Sequence, residues 1–449
     1  MKMKVEVVSR EMIKPSSPTP HHLRTFNLSF LDQLAPPIYV PLVLFYKSDE
    51  YDNDNNSHFP DIIKKSLSAS LTRFYPLAGR IQDEGSVDCN DEGVDYLETK
   101  VTNGELSQII QHPEVHVLQQ FLPCDSYSTN QSTPVTSKVL LAVQVNVFED
   151  CGGIVIGICI SHTLADASSL STFINDWAAC ARGATDQIMD PCFELPTLFP
   201  KVDLMGYNTL GSIKKNKQQI VTKRFVFEAS KITELKKQSV VETNATNING
   251  DGHRECPTRV EALSAFVWKR FMKLNQAKEE ASARVYRVTQ AVNLRKRMVP
   301  QLPTNAFGNM YSPTFALLVD AEGKGDHPYP TLIVKIGEAI KRIDGDHVRK
   351  LQHTDAYFNF YKKQMENAAS NNQTSNVMLH FSSWCRFGIY EADFGWGKPT
   401  WAATAPLPFK NVVVFMDTRS GDGIEAWVNM TKEDMDEFEC DKEFLKFAS

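Results

Sequence analysis

Long uncharged apolar runs are missing from this chain of 449 residues. Its most apolar stretches, 34–46 and 151–165, fall short of the ~20 residues that a spanning helix needs. A longer uncharged run, 298–319, is broken by Pro300, Pro303 and Pro313 and is rich in amides and hydroxyls, so no membrane span is expected. A basic excess is missing too. The 48 Lys and Arg stand against 54 Asp and Glu, a net charge of −6, whereas a nucleic acid or an anionic membrane favours positive charge. The first twenty residues alternate charge with apolar side chains and hold no apolar core, so no signal peptide is expected. Cysteine is sparse, nine in all, with no C-x-x-C pair and in a chain too large to need disulfide staples. A reduced, cytoplasmic protein follows, in which sequons such as Asn244-Ala-Thr are incidental. Neither G-x-S-x-G, nor a P-loop, nor a strand–G-x-G-x-x-G–helix unit occurs, which removes the usual support for a hydrolase nucleophile or a nucleotide phosphate. His253 and Cys256 are close in sequence but no second ligand pair follows, so no metal is expected.

What is present is an ordinary globular mix, 42% hydrophobic and 23% charged, able to bury a core in two large domains or about three of ~150 residues. Residues 5–8 alternate and run into the proline-rich loop 15–20. Strands are expected at 38–46, 140–148 and 153–160, the last two as a hairpin, with helices over 62–74 and 168–181. Residues 183–218 hold several prolines and no sustained period, and read as a long crossover. Beyond it, strands are expected at 223–227, 285–292, 310–318, 412–416 and 425–429, and helices at 258–272 and 331–343. Thr258 with Glu261 makes a capping box. Residues 239–256, rich in Asn and polar side chains, read as a surface loop.

The sharpest local feature is Gly157-Ile-Cys-Ile-Ser-His162-Thr-Leu-Ala-Asp166, an apolar strand that runs into a histidine, with an aspartate four residues on at the start of a helix. A histidine at a strand end can take a proton from a hydroxyl and return it to a leaving group near neutral pH. Asp166 could orient the ring, as in a triad, or point into the body of the protein and anchor the turn. A structural histidine bonded to a backbone carbonyl is the plainer alternative. A second segment, Phe381-Ser-Ser-Trp384-Cys-Arg386 through Asp393-Phe-Gly-Trp-Gly397, sets two large aromatics beside Gly395 and Gly397, and reads as a tight aromatic-clamped loop.

His162-Thr-Leu-Ala-Asp166 followed about 230 residues later by Asp393-Phe-Gly-Trp396-Gly397 resembles the paired signature of the plant BAHD acyl-CoA-dependent acyltransferases. The resemblance covers nearly the whole chain. It includes Ile13-Lys-Pro-Ser-Ser-Pro-Thr-Pro20, Leu28-Ser-Phe-Leu-Asp-Gln33, Tyr75-Pro-Leu-Ala-Gly-Arg80, Val87-Asp-Cys-Asn-Asp91, Gln290-Ala-Val-Asn-Leu-Arg295 and Asp422-Gly-Ile-Glu-Ala-Trp427, and is strongest to the vinorine synthase-like branch. It implies an α/β protein of two chloramphenicol-acetyltransferase-like lobes with a solvent channel between them. The first lobe would be 1–182, with about 376–405 packing back onto it. The crossover 183–218 and a second lobe, 219–449, which carries the Asp-Phe-Gly-Trp-Gly motif, would follow. His162 would be the general base for transfer from acyl-CoA, acetyl-CoA foremost, to the hydroxyl of a small-molecule acceptor, with no permanently bound cofactor. Asp166 would pair with Arg295 and hold the fold, so that Asp166→Ala looks like a folding defect. The 393–397 loop would shape the CoA end, Ser382 and Trp384 would steady the oxyanion or the acceptor, and Thr258 and Arg259 would meet the CoA phosphate. The apolar Val40, Leu42 and Leu44 suit a hydrophobic acceptor. A monomer is expected.

Two other functions fit the same family pattern: a non-catalytic acyl-CoA or metabolite binder, and N-acylation of an amine. A peptide-synthetase condensation domain fits less well. It favours a doubled histidine and a glycine after the aspartate, where this chain has Ser161 and Ala167.

Overall fold

The apolar runs become two mixed six-stranded sheets in the computed structural model, which describes residues 3–47, 59–125, 139–150, 152–203, 218–245, 256–276, 284–320, 327–352 and 375–449. The chain divides into two compact units. The first comprises Met1–Lys214, Leu302–Met310 and Arg386–Pro406; the second comprises Lys215–Gln301, Tyr311–Cys385 and Leu407–Ser449.

In the first unit, β1 (Lys4–Ile13), β6 (Val94–Thr102), β7 (Leu141–Phe148), β8 (Ile154–Ser161), β3 (Tyr39–Tyr46) and β13 (Trp401–Ala403) lie side by side in that order. All neighbours are antiparallel except β6 and β7. A small sheet joins β2 (Thr25–Asn27), β5 (Ser86–Asp88) and β4 (Arg80–Asp83). The Arg80 guanidinium donates to the carbonyls of Gly79 and Gly93 at 2.7 and 2.8 Å, and Asp91 accepts from the backbone and hydroxyl of Thr19. The motifs Tyr75–Arg80 and Val87–Asp91 are therefore structural ties.

The 393–397 loop, numbered with the second lobe but within the stretch of about 376–405 expected to pack back onto the first, falls with Arg386–Pro406 in the first unit. The physical reason is β13, which gives a short stretch of backbone its partner on the open edge of β3, where an unpaired edge would otherwise be left. Residues 302–310 are stitched into the same unit through Cys192, whose N–H donates to the Asn305 carbonyl and whose carbonyl accepts from Phe307 N–H. The described part of the crossover, up to residue 203, forms short turns including the helix Leu195–Leu198 and belongs here too; residues 204–217 lie outside the described residues.

In the second unit the order is β11 (Tyr311–Asp320), β10 (Arg284–Asn293), β12 (Ser375–Ser383), β14 (Val412–Asp417), β15 (Ile424–Thr431) and β9 (Ile220–Phe227). One face of this sheet, with Tyr286, Val288, Leu379, Phe381, Val413 and Phe415, is buried in a core shared with the helices Arg259–Gln276 and Tyr329–Lys341. The expected loop 239–256 begins as the end of the helix Ala229–Ala245, and 246–255 lie outside the described residues.

The element that positions the site is β8. Its neighbours β7 and β3 both run antiparallel to it, and all its residues except Ser161 are buried, as expected of an uninterrupted apolar strand sealed on both faces. Gly157 sits where the Phe121 backbone crosses. A Cβ there would lie 1.8 Å from the Phe121 carbonyl oxygen, and backbone cannot step aside as a flexible side chain can. Gly157→Ala is therefore expected to destabilise the protein by ~1–3 kcal/mol. Chemical denaturation of the variant checks this, and a midpoint equal to that of the parent protein contradicts it.

Candidate functional site

The β8 ladder ends with Ser161 N–H donating to Leu140 and His162 N–H donating to Ile38, after which Leu164 and Ala165 turn back onto the Ser161 carbonyl. The helix Ala167–Ala181 starts at once, with Asp166 as its N-cap, accepting from Ser169 N–H at 2.8 Å. A central strand, a tight turn and a capped helix together leave His162 little backbone freedom. Its side chain is surrounded by protein but retains accessible surface. Burial holds the imidazole below its ordinary pKa, outweighing the neighbouring Asp166 charge and the hydrogen bonds, which act the other way.

Asp166 does not orient the ring. Its second oxygen accepts from Met310 N–H at 3.0 Å, so both oxygens serve backbone amides. The group that meets the imidazole is Asn309, whose Oδ1 lies 2.9 Å from His162 Nδ1. The Asn309 amide nitrogen donates to the His162 carbonyl at 2.7 Å and to Asp32 Oδ1 at 2.9 Å. Asp32 Oδ1 also takes Asn309 N–H at 2.8 Å, and Oδ2 takes the N–H and hydroxyl of Ser29 at 2.9 and 2.6 Å. Asp32 is thus a fully buried carboxylate with four donors. Burial still pushes its carboxyl up to about 6, against the pull of those hydrogen bonds.

Sequence reasoning missed Asn309 as a site residue and read Asp32 only as part of a motif. One signal was available. Gly308, just before Asn309, has φ +131°, and a Cβ on it would lie 2.4 Å from Leu195; a glycine held at such a φ by close packing marks a backbone placed for a purpose.

The other expected site residues fall as follows. Val40, Leu42 and Leu44 are 5%, 0% and 0% exposed. They share the face of Tyr46, whose ring meets Phe394 and Trp396, because alternate strand residues point the same way. They belong to the buried core. In the 393–397 loop, Asp393 Oδ1 accepts from the N–H of Gly395 and of Gly397 at 2.8 and 3.0 Å, and both glycines have positive φ. Phe394 and Trp396 stack at 5.5 Å, with Phe59 against Trp396 and Trp177 against Phe394. Arg182 donates to the Asp393 carbonyl at 2.6 Å. This loop is a clamp.

In the second unit, Ser382 and Trp384 stand at the end of β12, where Trp384 N–H donates to the Phe415 carbonyl at 2.8 Å. Arg295 N–H donates to Asn293 Oδ1 at 3.0 Å. Thr258 and Glu261 form the expected capping box. Arg259 donates to the carbonyls of Gly421 and Asp422 and to Asp417. These contacts tie the helix start to the turn at 417–422.

The sequence model of a family described as "Transferase family" matches residues 3–445. A stemmadenine O-acetyltransferase from Catharanthus roseus is 37% identical over 97% of this chain and 96% of its own length. A limonoid 1-O-acetyltransferase from Citrus sinensis is 35% identical over 100% and 99%. Vinorine synthase from Rauvolfia serpentina is 40% identical over 97% and 96%, and its crystal structure superposes with a TM-score of 0.82, at 38% identity and 99% coverage of both chains.

The burial of His162 has a measurable sign. Its lowered pKa keeps the imidazole neutral below the ordinary 6.5, so an NMR titration of this ring is expected to show a midpoint under pH 6.5; a midpoint at or above that value contradicts the described packing.

Proposed function

The chain belongs to the BAHD acyltransferase family, and on that premise we propose that it transfers an acyl group, acetyl foremost, from acyl-CoA to a hydroxyl of a hydrophobic plant specialised metabolite, with His162 as general base. One observation carries the assignment of the base: His162 directly follows the buried central strand with Nδ1 against the Asn309 amide oxygen, an arrangement that suits a neutral ring with its lone pair on Nε2. Relatives named as O-acetyltransferases of stemmadenine and of limonoids support the reaction and the apolar character of the acceptor.

In the reaction Nε2 takes the acceptor's hydroxyl proton as its oxygen attacks the thioester carbonyl. The tetrahedral intermediate collapses, the C–S bond breaks, and the CoA thiolate leaves with the proton held by the imidazolium. Ester and free CoA are the products, and the histidine returns to its starting state. Direct transfer between two bound substrates needs no nucleophile on the protein; the acceleration comes from orientation and from a base neutral at the working pH. The lowered pKa of His162 serves that need, because the unprotonated form persists into mildly acidic solution.

The test couples acetyl-CoA with a panel of hydroxylated alkaloids and terpenoids, following CoA thiol release and product mass. His162→Ala is expected to lower kcat by about 10²–10⁴-fold while melting as the parent protein does. Turnover by a folded His162→Ala variant at the parent rate overturns the assignment.

A further inference from the structure

Resting on the reading of this chain as an O-acyltransferase, we propose that His380, seated on Thr289, determines specificity by hydrogen-bonding a second oxygen of the acceptor. The substrate class is then a hydrophobic alcohol that carries at least two oxygen functions. Strands β10 and β12 run parallel with Thr289 opposite His380. Their residues Tyr286, Val288, Leu379 and Phe381 enter the core of the second unit, so by strand alternation Thr289, His380 and Ser382 point to the other face. A sheet face outside the core commonly carries exposed polar side chains. Here Thr289 is 8% exposed, and His380 and Ser382 are half-buried. Polar groups drawn out of water cost free energy unless partners meet them.

The protein meets them in part. His380 Nδ1 lies 2.7 Å from Thr289 Oγ1, which orients the ring, while Nε2 has no partner among the described residues. The Ser382 hydroxyl has none there either. Two neutral hydrogen-bonding groups therefore stand uncommitted on one face, about 7 Å apart by the rise of a strand. Their neighbours on that face are apolar: Met378 on the same strand, and Val412 and Val414 of β14, which pair with His380 and Ser382. An apolar surface with a few fixed polar points suits a hydrophobic skeleton bearing spaced oxygens. The direction of the Thr289 contact adapts to either kind of oxygen, since a hydroxyl both donates and accepts. When Thr289 donates, Nε2 carries the proton and serves a carbonyl; when Thr289 accepts, Nε2 holds the lone pair and serves a hydroxyl. Burial keeps the His380 imidazole below its ordinary pKa, so the ring is neutral, as a neutral ligand oxygen requires. The amide oxygens of the CoA arm offer the same chemistry, and the experiment separates the two sources.

The experiment uses the full chain, acetyl-CoA, and terpenoid and alkaloid diols, each beside the mono-alcohol that lacks its second oxygen. The parent protein is expected to prefer the diol by about 10–100-fold in kcat/KM, the effect of one shielded hydrogen bond. His380→Phe keeps a ring and removes both nitrogens. It is expected to raise KM for the diol and erase the preference, with KM for acetyl-CoA equal to that of the parent. His380→Gln returns a donor and an acceptor near the position of Nε2 and is expected to restore much of the preference. A parent without the preference, or a His380→Phe variant that retains it, overturns the proposal. So does a raised KM for acetyl-CoA with that for the diol unmoved, which assigns the contact to the CoA arm. Should His380→Phe not fold, the parent protein labelled with ¹⁵N-histidine decides. The His380 Nε2 signal, assigned by its loss in His380→Gln, is expected to move when a diol is added and to stay in place with coenzyme A alone; a signal that no diol moves overturns the proposal. Acylation of the mono-alcohols, and its loss in His162→Ala, test the acyl-transfer reading separately.

Discussion

A single buried carboxylate sets the geometry of the histidine end of the first unit. Asp32 is enclosed completely, and taking such an ion out of water costs several kcal/mol even after relaxation. Its four donors return ~1.5–3 kcal/mol each, as hydrogen bonds to a charged group do, so the two sides nearly cancel. The raised carboxyl pKa shows the balance leaning toward cost. The folded protein binds that proton more tightly than the unfolded chain, so this group favours folding below about pH 4 and does so progressively less as pH rises through about 6. Asp32 therefore adds little to stability at neutral pH. It adds a requirement that Asn309, 277 residues away, be present with its amide in one orientation. Specificity is what the buried charge supplies.

The same device recurs around the helix Ala167–Ala181. Asp166 and Ser169 at its start hold residues 308–310. Ser171 and Asn175 reach the carbonyls of Phe387 and Gly388, and Arg182 at its end holds Asp393. One helix thereby retains two segments that the chain order separates from it by more than a hundred residues. The aromatic stack of Phe394 and Trp396 on Phe59 and Trp177 buries a large apolar area on the second of these. Both recurrent signatures in the sequence, one ending in Asp166 and one spanning 393–397, turn out to converge on one helix. They fix the frame in which the histidine stands.

Much of this was legible in the sequence where the controlling forces are local. The β7–β8 hairpin, the strand ends near Tyr46 and Ser161, and the capping box at Thr258 follow from residue types within a few positions of one another, and each stands where the pattern put it. Strand β12, Ser375–Ser383, was not read, since Ser-Asn-Val-Met-Leu-His-Phe-Ser-Ser lacks clean alternation; its buried face is set by the neighbouring strands. Val40, Leu42 and Leu44 were correctly placed on a strand, yet their function depends on which face meets the helices, and strand periodicity is blind to that choice. Residues 298–309 were weighed only as part of a failed membrane run, and Asn309 lay unnoticed among them. A contact across 147 residues leaves no periodic trace.

The two aspartates show why spacing alone misassigns roles. H-x-x-x-D invites a triad, because four residues suffice to bring a carboxylate near an imidazole. Here the helix that begins after Asp166 takes one of its oxygens as a cap, and the other accepts from Met310 N–H. The partner for Nδ1 must then come from elsewhere, and a neutral amide differs from a carboxylate in a consequential way. A carboxylate directly on Nδ1 would raise the pKa of the ring and oppose the effect of burial. An amide meets the ring while adding no charge in contact, so burial keeps the imidazole below its ordinary pKa. The formal charge is kept one residue further back, on Asp32. There it holds the amide while its Coulombic pull on the ring is weakened by distance.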